Sequence, residues 1–413
     1  MAFTAGKFVA RLLGFAFKRD YTYENGAFIP LAVGGLTSAG VRVSEETALR
    51  FATVWACVNA VSSDLAKLPI TLTRLDGEAK YIASEHDQFY LLTQSPHKFM
   101  SAFTFWKAVG IFEELYGAAF VEIERNPETG RPVNYRLMAT PYVTHVTQDG
   151  ELYWRDHETG RLMHDSDVLR FMGWTTDGVH FKSPIQVHRE TIGAGIAQNN
   201  MSNEFIANGL RTDGYIKTAT THTNKAQSDA LAANFSNQLR TWEIPVLDGN
   251  SEFKQFGMPL TDAQFIENRK YNVVDVCRIW RMPPHKVGQM ENAIKANIQE
   301  QNQEYIDDTL MPRIVNREQE VDRKVFRHSE RSTHKFNIET RGLLRGDPKA
   351  RADLYKVLFD SGLYTKDEIR AEMDKNPLPK GQYGDQTFTR LDTIPSNMIE
   401  KWHTAAQNSG NNE

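Results

Sequence analysis

Apolar residues recur at helical intervals through 45–68. Leu49, Ala52, Val54, Cys57, Val58, Val61 and Leu65 share one face, and Leu68-Pro69 closes it. Alternation then replaces the helical period: residues 70–75 read as a strand, turned by Asp76-Gly77 into a second at 79–82. Helices are predicted at 86–93 and 101–116, divided by Ser95-Pro96, with Ser101 placed to cap the second. From 118 to 171 the pattern is short β segments, at 120–124, 135–138, 143–147, 152–154 and 168–171. Pro127, Gly130, Pro141, Asp149-Gly150 and Gly160 supply the breaks. Residues 45–175 therefore predict one mixed α+β domain.

Ser183-Pro184 opens a helix expected to run to about Asn208, because proline is favoured in a first turn. Its apolar stripe is Ile185, Ile192 and Ile196, joined later by Phe205. Gly193 and Gly195 would each cost an isolated helix about 1 kcal/mol relative to alanine, which predicts close packing against another helix. A compact insert over 211–260 separates it from a second helix at 262–280, carrying Phe265, Ile266, Val273, Val274, Cys277 and Ile279. Pro283-Pro284 stops that helix, since proline disfavours helical geometry in the preceding residue and lacks a donor of its own. A polar loop with Gly288 follows, and the helical pattern resumes at Asn297 and continues to about Phe326. One more strand at 335–339 and a helical pair at 347–360 and 365–373 complete the pattern. From Asn376 the composition of Pro, Gly, Gln, Asn and Ser reads as a mobile tail.

The chain of 413 residues is 40% apolar and 24% charged, the profile of a folded protein with a substantial core. A net charge of −4 argues against clamping nucleic acid by bulk charge, so any DNA contact must be local. Cys57 and Cys277 sit in apolar surroundings and read as buried free thiols. At the amino terminus the uncharged apolar run from Leu12 to Phe17 is too short for a secretory core or a membrane span, so residues 1–44 read as a mobile arm. No phosphate-cradling glycine loop, glycine-flanked nucleophilic serine, paired metal-spaced cysteines or His-Glu-x-x-His is present. His157, His164, Glu158 and Asp165 surround a Thr159-Gly160 turn and read as a solvated hairpin; the alternative is a hydrolase using these groups. Asp307-Asp308 diverge around a helix and read as a solvated face. No catalytic, metal or cofactor residues are assigned.

Short patterns in a fixed order, spanning roughly 45–385, resemble the portal proteins of HK97-type tailed phages. They are Ala56-Cys57-Val58-Asn59, Ala66-Lys67-Leu68-Pro69, Tyr116-Gly117-Ala118-Ala119-Phe120, Ser183-Pro184-Ile185 and Phe205-Ile206-Ala207-Asn208-Gly209. Gln264-Phe265-Ile266-Glu267-Asn268-Arg269-Lys270, Met282-Pro283-Pro284, Asn297 with Glu300-Gln301, and Leu310-Met311-Pro312 follow. Arg345-Gly346-Asp347, Gly362-Leu363-Tyr364-Thr365 and Glu368-Ile369-Arg370 complete the series. Ala118 and His97 depart from the family's usual asparagines, and Trp280-Arg281-Met282 from its Phe-Gly-Val.

The resemblance implies an α+β portal fold: an α/β wing (45–183), a two-helix stem (184–209 and 262–281), a small α/β clip (210–261) and a tunnel loop (282–296). A long wing helix with a closing strand (297–344), a helical crown (345–375) and a mobile tail (376–413) follow. It implies a homo-oligomeric ring, usually of twelve subunits, at one capsid vertex of the virion, assembled in the host cytoplasm, with no membrane. Expected partners are double-stranded DNA, the large terminase, a head-tail adaptor and the major capsid protein or its scaffold. The implied channel residues are Lys286, Gln289, Met290, Glu291, Asn292 and Lys295; the clip would present Arg211, Lys217, Lys225 and Arg240; and Ile192, Ile196, Phe265, Arg269 and Lys270 would form the stem. Another oligomeric virion scaffold, such as a head-tail adaptor, is the alternative.

Overall fold

The computed structural model describes residues 35–77, 79–207, 214–218, 225–226, 229–230, 232–233, 251–255, 262–289, 301–340, 348–373, 375–379 and 382–387. Two compact units divide the chain, Met1–Glu339 and Thr340–Glu413. Of the expected arm over 1–44, residues 1–34 lie outside the described residues, as do most of the insert and residues 388–413, while 35–44 include a short antiparallel hairpin.

The first unit opens with a hairpin, β1 (Gly35–Leu36) and β2 (Arg42–Val43), then a single turn α1 (Glu45–Ala48) and the helix α2 (Ala52–Ala66). The sequence reads 45–68 as one helix. Phe51 interrupts it: its backbone is extended (φ −83°, ψ 115°), and its ring is buried with the tip facing Gly195. Strands β3 (Ile70–Asp76) and β4 (Ala79–Ile82) form the expected hairpin, followed by α3 (Asp87–Thr93) and α4 (Ala102–Tyr116). Ser101 caps α4 by accepting the Thr104 amide at 3.4 Å. The helix ends at Gly117 with φ +80°, where a Cβ would lie 2.1 Å from the Lys182 carbonyl, so glycine is required on both counts. Gly110 has no room either, its Cβ position being 3.0 Å from Ser62, and this lets α4 lie directly on α2.

Among the described residues there are three three-stranded antiparallel sheets. β5 (Ala118–Arg125) lies between β6 (Pro132–Met138) and β10 (Val168–Met172), while β7 (Val143–Gln148), β8 (Glu151–Asp156) and β9 (Arg161–His164) form a meander. The sequence reading omits β9, whose alternation is short and flanked by turn residues. Phe120, Met138, Val143, Trp154, Met163 and Val168 fill the core between these two sheets. The third sheet has the order β13-β3-β4, with β13 (His334–Ile338) arriving from the far end of the unit.

Next come a turn α5 (Pro184–Val187), α6 (Arg189–Ala207), the antiparallel pair β11 (Gly214–Thr218) and β12 (Ser251–Gln255), and α7 (Asp262–Ile279). The helix expected from 184 is thus jointed at His188 (φ −105°, ψ 24°). The glycine prediction holds at Gly195, whose Cβ would lie 2.8 Å from Asn272 on α7, whereas Gly193 faces Thr37 of the first hairpin. Cys57 of α2 and Cys277 of α7 are free and buried, as expected, and they meet. The thiol contact and burial push the Cys57 thiol up.

Helix α8 (Met311–Lys324) lies between the edge strands of two sheets and hydrogen-bonds to both. Toward β10, the Lys324 ammonium donates to the Val168 carbonyl at 2.6 Å, the Glu320 carboxylate accepts the Arg170 amide at 3.0 Å, and Asn316 donates to the Met172 carbonyl at 3.0 Å. Toward β13, Asp322 accepts the Phe336 amide at 2.8 Å and Glu318 the Ile338 amide at 2.7 Å. The spacing works because four helical residues rise about 6 Å and two strand residues about 6.8 Å. A third face carries arginines to α4: Arg313 forks onto Glu114 at 2.5 and 2.9 Å, and Arg317 meets Glu113 at 2.9 Å with both side chains buried.

In the second unit, α9 (Pro348–Asp360) and α10 (Lys366–Glu372) form the expected helical pair. Thr365 and Glu368 make a capping box. The tail does not leave immediately after it: the Leu378 amide donates to Asp367 at 2.7 Å and the Asp367 amide to the Gly384 carbonyl at 2.9 Å.

Glu113→Ala leaves the Arg317 guanidinium buried and unpaired, and is expected to cost about 3–5 kcal/mol in denaturant unfolding. Glu318→Ala removes one edge acceptor and should cost about 1–3 kcal/mol. In hydrogen exchange it should accelerate the Ile338 amide while leaving Phe336, held by Asp322, protected.

Candidate functional site

Residues 281–289 and 301–310 form two legs that bracket the segment 290–300, and they are fastened to each other at three levels. The lowest is Arg281. Helix α7 stops at Ile279, and Trp280 is buried, its indole N–H donating to the Glu114 carbonyl at 3.4 Å. Arg281 then takes a left-handed φ of 53°. Its carbonyl accepts the Thr309 hydroxyl at 2.7 Å, and its guanidinium donates to the Asp308 carbonyl at 3.4 Å. The stop therefore comes before Pro283-Pro284, at a residue held by the opposite leg.

Asp308 needs that donor because of Pro312. In a continuous α-helix the Asp308 carbonyl would accept the amide of residue 312, and proline has none. The expected long helix is accordingly interrupted: residues 301–304 are helical, Tyr305–Leu310 form a π-helix, and α8 starts at Met311. Such π turns are uncommon and local. The Arg313 guanidinium also reaches back along the helix, donating to the Thr309 carbonyl at 2.6 Å.

The middle level is Lys286, on the 3₁₀ turn Pro284–Val287. Its ammonium lies 4.1 Å from the Tyr305 ring centroid and 3.2 Å from an Asp64 carboxylate oxygen; the same oxygen accepts the Tyr305 hydroxyl at 3.1 Å. Lys67 donates to the other Asp64 oxygen at 2.6 Å. Burial pushes the Asp64 carboxyl up, but the Lys67 hydrogen bond and the Lys286 charge outweigh it and hold the group below the ordinary aspartate range. At the top, His285 Nδ1 lies 2.8 Å from the Gln301 side-chain amide and Nε2 3.1 Å from that of Asn302. The legs are thereby tied to each other and, through Asp64, to α2.

Lys286 belongs to the base of the loop, with its side chain turned to Asp64. An ammonium with a desolvated carboxylate and an aromatic face in reach gains more there than in open solvent. Gln289 is half-buried at the end of the first leg, while Met290, Glu291, Asn292 and Lys295 lie outside the described residues. In the insert, Lys225 is exposed, Lys217 lies on β11, and Arg211 and Arg240 lie outside the described residues. Ile192 is buried and Ile196 half-buried on α6; on α7 Arg269 is exposed and Lys270 half-buried, and Phe265 contributes to the helix by its backbone.

His157 and His164 sit on a hairpin, as expected, and each is engaged locally, His157 with Thr144 at 2.8 Å and His164 with Glu151 at 3.2 Å. Asp165 accepts the Trp154 indole N–H at 2.9 Å and pairs with Arg170 and Lys324. Among the described residues no group of three or more His, Cys, Asp or Glu is placed to hold a metal ion. Among them, too, no helix is long and apolar enough to cross a membrane. Asp307 and Asp308 are exposed, as expected. The base residues that sequence reasoning missed are Asp64, Arg281, Tyr305 and Thr309. A carboxylate beside the apolar face of α2, and a proline inside a helical pattern, were the available signals.

The profile of the phage portal protein family matches residues 52–374. The chain is 27% identical over 360 residues to the portal protein of Enterobacteria phage HK97, covering 82% of each. It is 25% identical over 372 residues to a probable portal protein of Streptomyces phage phiC31, covering 84% of this chain and 80% of that one. Among solved structures, an HK97-family phage portal protein from Corynebacterium diphtheriae superposes with a TM-score of 0.55 at 16% identity, over 77% of this chain and 99% of the other. A chain in the neck of a gene transfer agent particle gives 0.54 at 18% identity, over 84% and 97%.

Asp64→Ala is expected to loosen the first leg, with the Lys286, Gly288 and Gln289 amides exchanging about tenfold faster or more, the equivalent of about 1.4 kcal/mol. Because the folded-state pKa of Asp64 is depressed, its contribution is present above about pH 3.9 and lost as pH falls through the folded value. Protection of the same amides should therefore fall with acidification below about pH 4 in the wild type and stay flat in Asp64→Ala.

Proposed function

The chain belongs to the phage portal protein family, and from this we propose that it is the subunit of a ring-shaped channel at one capsid vertex, through which DNA is packaged and ejected. The observation that carries the reading is the family match across 52–374, which takes in both legs of the loop base and every described element from α2 to α10. In this reading the protein is a structural component of the virion without a catalytic step. The large terminase docks during packaging, and a head-tail adaptor replaces it afterwards.

Residues 45–183 with 297–344 act as the wing, α5–α6 and α7 as the stem, 210–261 as the clip and 345–375 as the crown. Residues 282–296 act as the tunnel loop, with 282–289 as its anchored root. A loop that must meet moving DNA needs a base that does not move with it, and the Arg281, Lys286 and His285 contacts are of that kind. Ring closure requires a head-to-tail interface repeated around an axis. Gly195 lets α6 lie close on α7 within the subunit, as a two-helix stem requires. The mild net charge fits a conduit: duplex DNA carries about one charge per 1.7 Å, and lysines multiplied around a ring would grip and not guide. A gene transfer agent neck has been computed with C12 symmetry, which supports twelve copies here.

Purified protein should form annular particles with a central channel in negative-stain microscopy; particles that never exceed a monomer under any assembly condition would reject the ring. Shortening residues 290–295 while keeping 281–289 intact should leave rings unchanged and reduce packaged or retained DNA. Normal packaging by that variant would rule out a tunnel role for the segment.

A further inference from the structure

The two cysteines of the chain meet in the seam between α2 and α7. Cys57 lies in the middle of α2, and Cys277 lies two residues before the end of α7. They are 0% and 1% exposed, both are free, and each thiol is the other's hydrogen-bond partner. Val58 and Val61 of α2 and Val276 and Trp280 at the end of α7 are buried as well, so the sulfurs sit inside apolar packing. The pair is asymmetric. The Cys57 S–H donates to Cys277 and holds the Cys277 thiol below the ordinary cysteine range, while the same contact and burial push Cys57 up. Cys277 is therefore the sulfur that ionises first, with a second thiol already in contact.

The place of the pair gives it mechanical weight. Cys57 and Asp64 are seven residues apart, two helical turns, and so share one stripe of α2. Asp64 holds Lys286 and Tyr305 of the loop base, and Cys277 lies four residues before Arg281, the lowest tie of that base. Helix α2 thus meets the end of α7 at one level and the legs of the loop at another.

We propose that Cys57 and Cys277 are an oxidative modification site, at which hydrogen peroxide closes a disulfide that locks the end of α7 onto α2. The Cys277 thiolate attacks one peroxide oxygen, the O–O bond breaks, and the departing hydroxide takes up the proton that Cys277 released, leaving water and a sulfenic acid. The Cys57 sulfur then attacks Cys277 Sγ, its proton leaves with the displaced hydroxide as a second water, and the S–S bond forms. Two thiols are oxidised and one peroxide is reduced to two waters. Burial selects the oxidant: a water-sized molecule can enter the seam, whereas bulky disulfides and alkylating reagents cannot reach sulfurs with almost no surface. The bond closes the long stretch from 57 to 277, so it restricts the unfolded chain as well as the seam.

The test treats the native full-length protein with dilute hydrogen peroxide, beside Cys57→Ala and Cys277→Ala, then quenches, unfolds and alkylates it. The wild type should lose both countable thiols and yield peptides joined through 57 and 277 in mass spectrometry, and neither single variant should yield a joined peptide. Methionine oxidation adds oxygen without a cross-link and does not mimic this readout. A bulky aromatic disulfide reagent on the native protein should leave both thiols countable. The Trp280 and Met282 amides, which both donate to the Cys277 carbonyl, report the lock. Closure should slow their hydrogen exchange about tenfold or more and raise the melting temperature, and dithiothreitol should reverse both. Two free thiols after peroxide, separately over-oxidised cysteines, or bonds only between chains overturn the site; a cross-link that leaves the melting temperature and both amides unchanged overturns the lock. The readout lies within one chain and does not depend on ring assembly.

Discussion

One helix has to satisfy two sheet edges at once. An edge strand presents a row of backbone donors and acceptors, and burying them unpaired costs more than any single apolar contact returns. Helix α8 resolves this with polar side chains at every fourth residue, Asn316, Glu320 and Lys324 toward β10 and Glu318 and Asp322 toward β13. Its charged character is therefore not a solvated face. Arg317, Glu320 and Lys324 are among the buried residues, and α4 supplies the carboxylates for Arg313 and Arg317. The consequence is that β13, over 250 residues from β3 in sequence, is locked into its register by the helix that precedes it.

The same segment explains the loop base. Pro312 is the second residue of α8, just after the π turn, and the Asp308 carbonyl it cannot serve is taken by Arg281 beyond the end of α7. A single missing N–H thus becomes a joint between two elements. Lys286 and His285 extend the joint upward, and Asp64 ties it to α2. In the proposed ring, this makes the root of the loop part of the wing, so force on the loop is carried into a packed core and not into a hinge.

Charge is distributed to suit that role. Arg136, Arg313, Arg317 and Lys324 are turned inward, onto Glu113, Glu114, Glu122, Asp156 and Asp165. The chain as a whole carries a net charge of −4, which fits the proposed conduit.

Much of this was legible in the chain. Periodicity placed α4, β3–β4, β5–β8, β10, β13 and the two helices of the second unit, because those elements follow from local alternation, caps and breakers such as Ser101, Asp76-Gly77 and Thr365. The ordered short patterns identified the family. The joint at Phe51, the π turn at Tyr305–Leu310 and the inward turn of Lys286 were not legible, since each is decided by a partner far away in sequence: Gly195 for Phe51, Arg281 for Asp308, Asp64 for Lys286. A proline, a lysine or an aspartate declares only which hydrogen bonds it lacks or offers. Sequence alone determined the elements and their order; tertiary structure decided where those open valences were met, because desolvation makes an unpaired group costly only once it is buried.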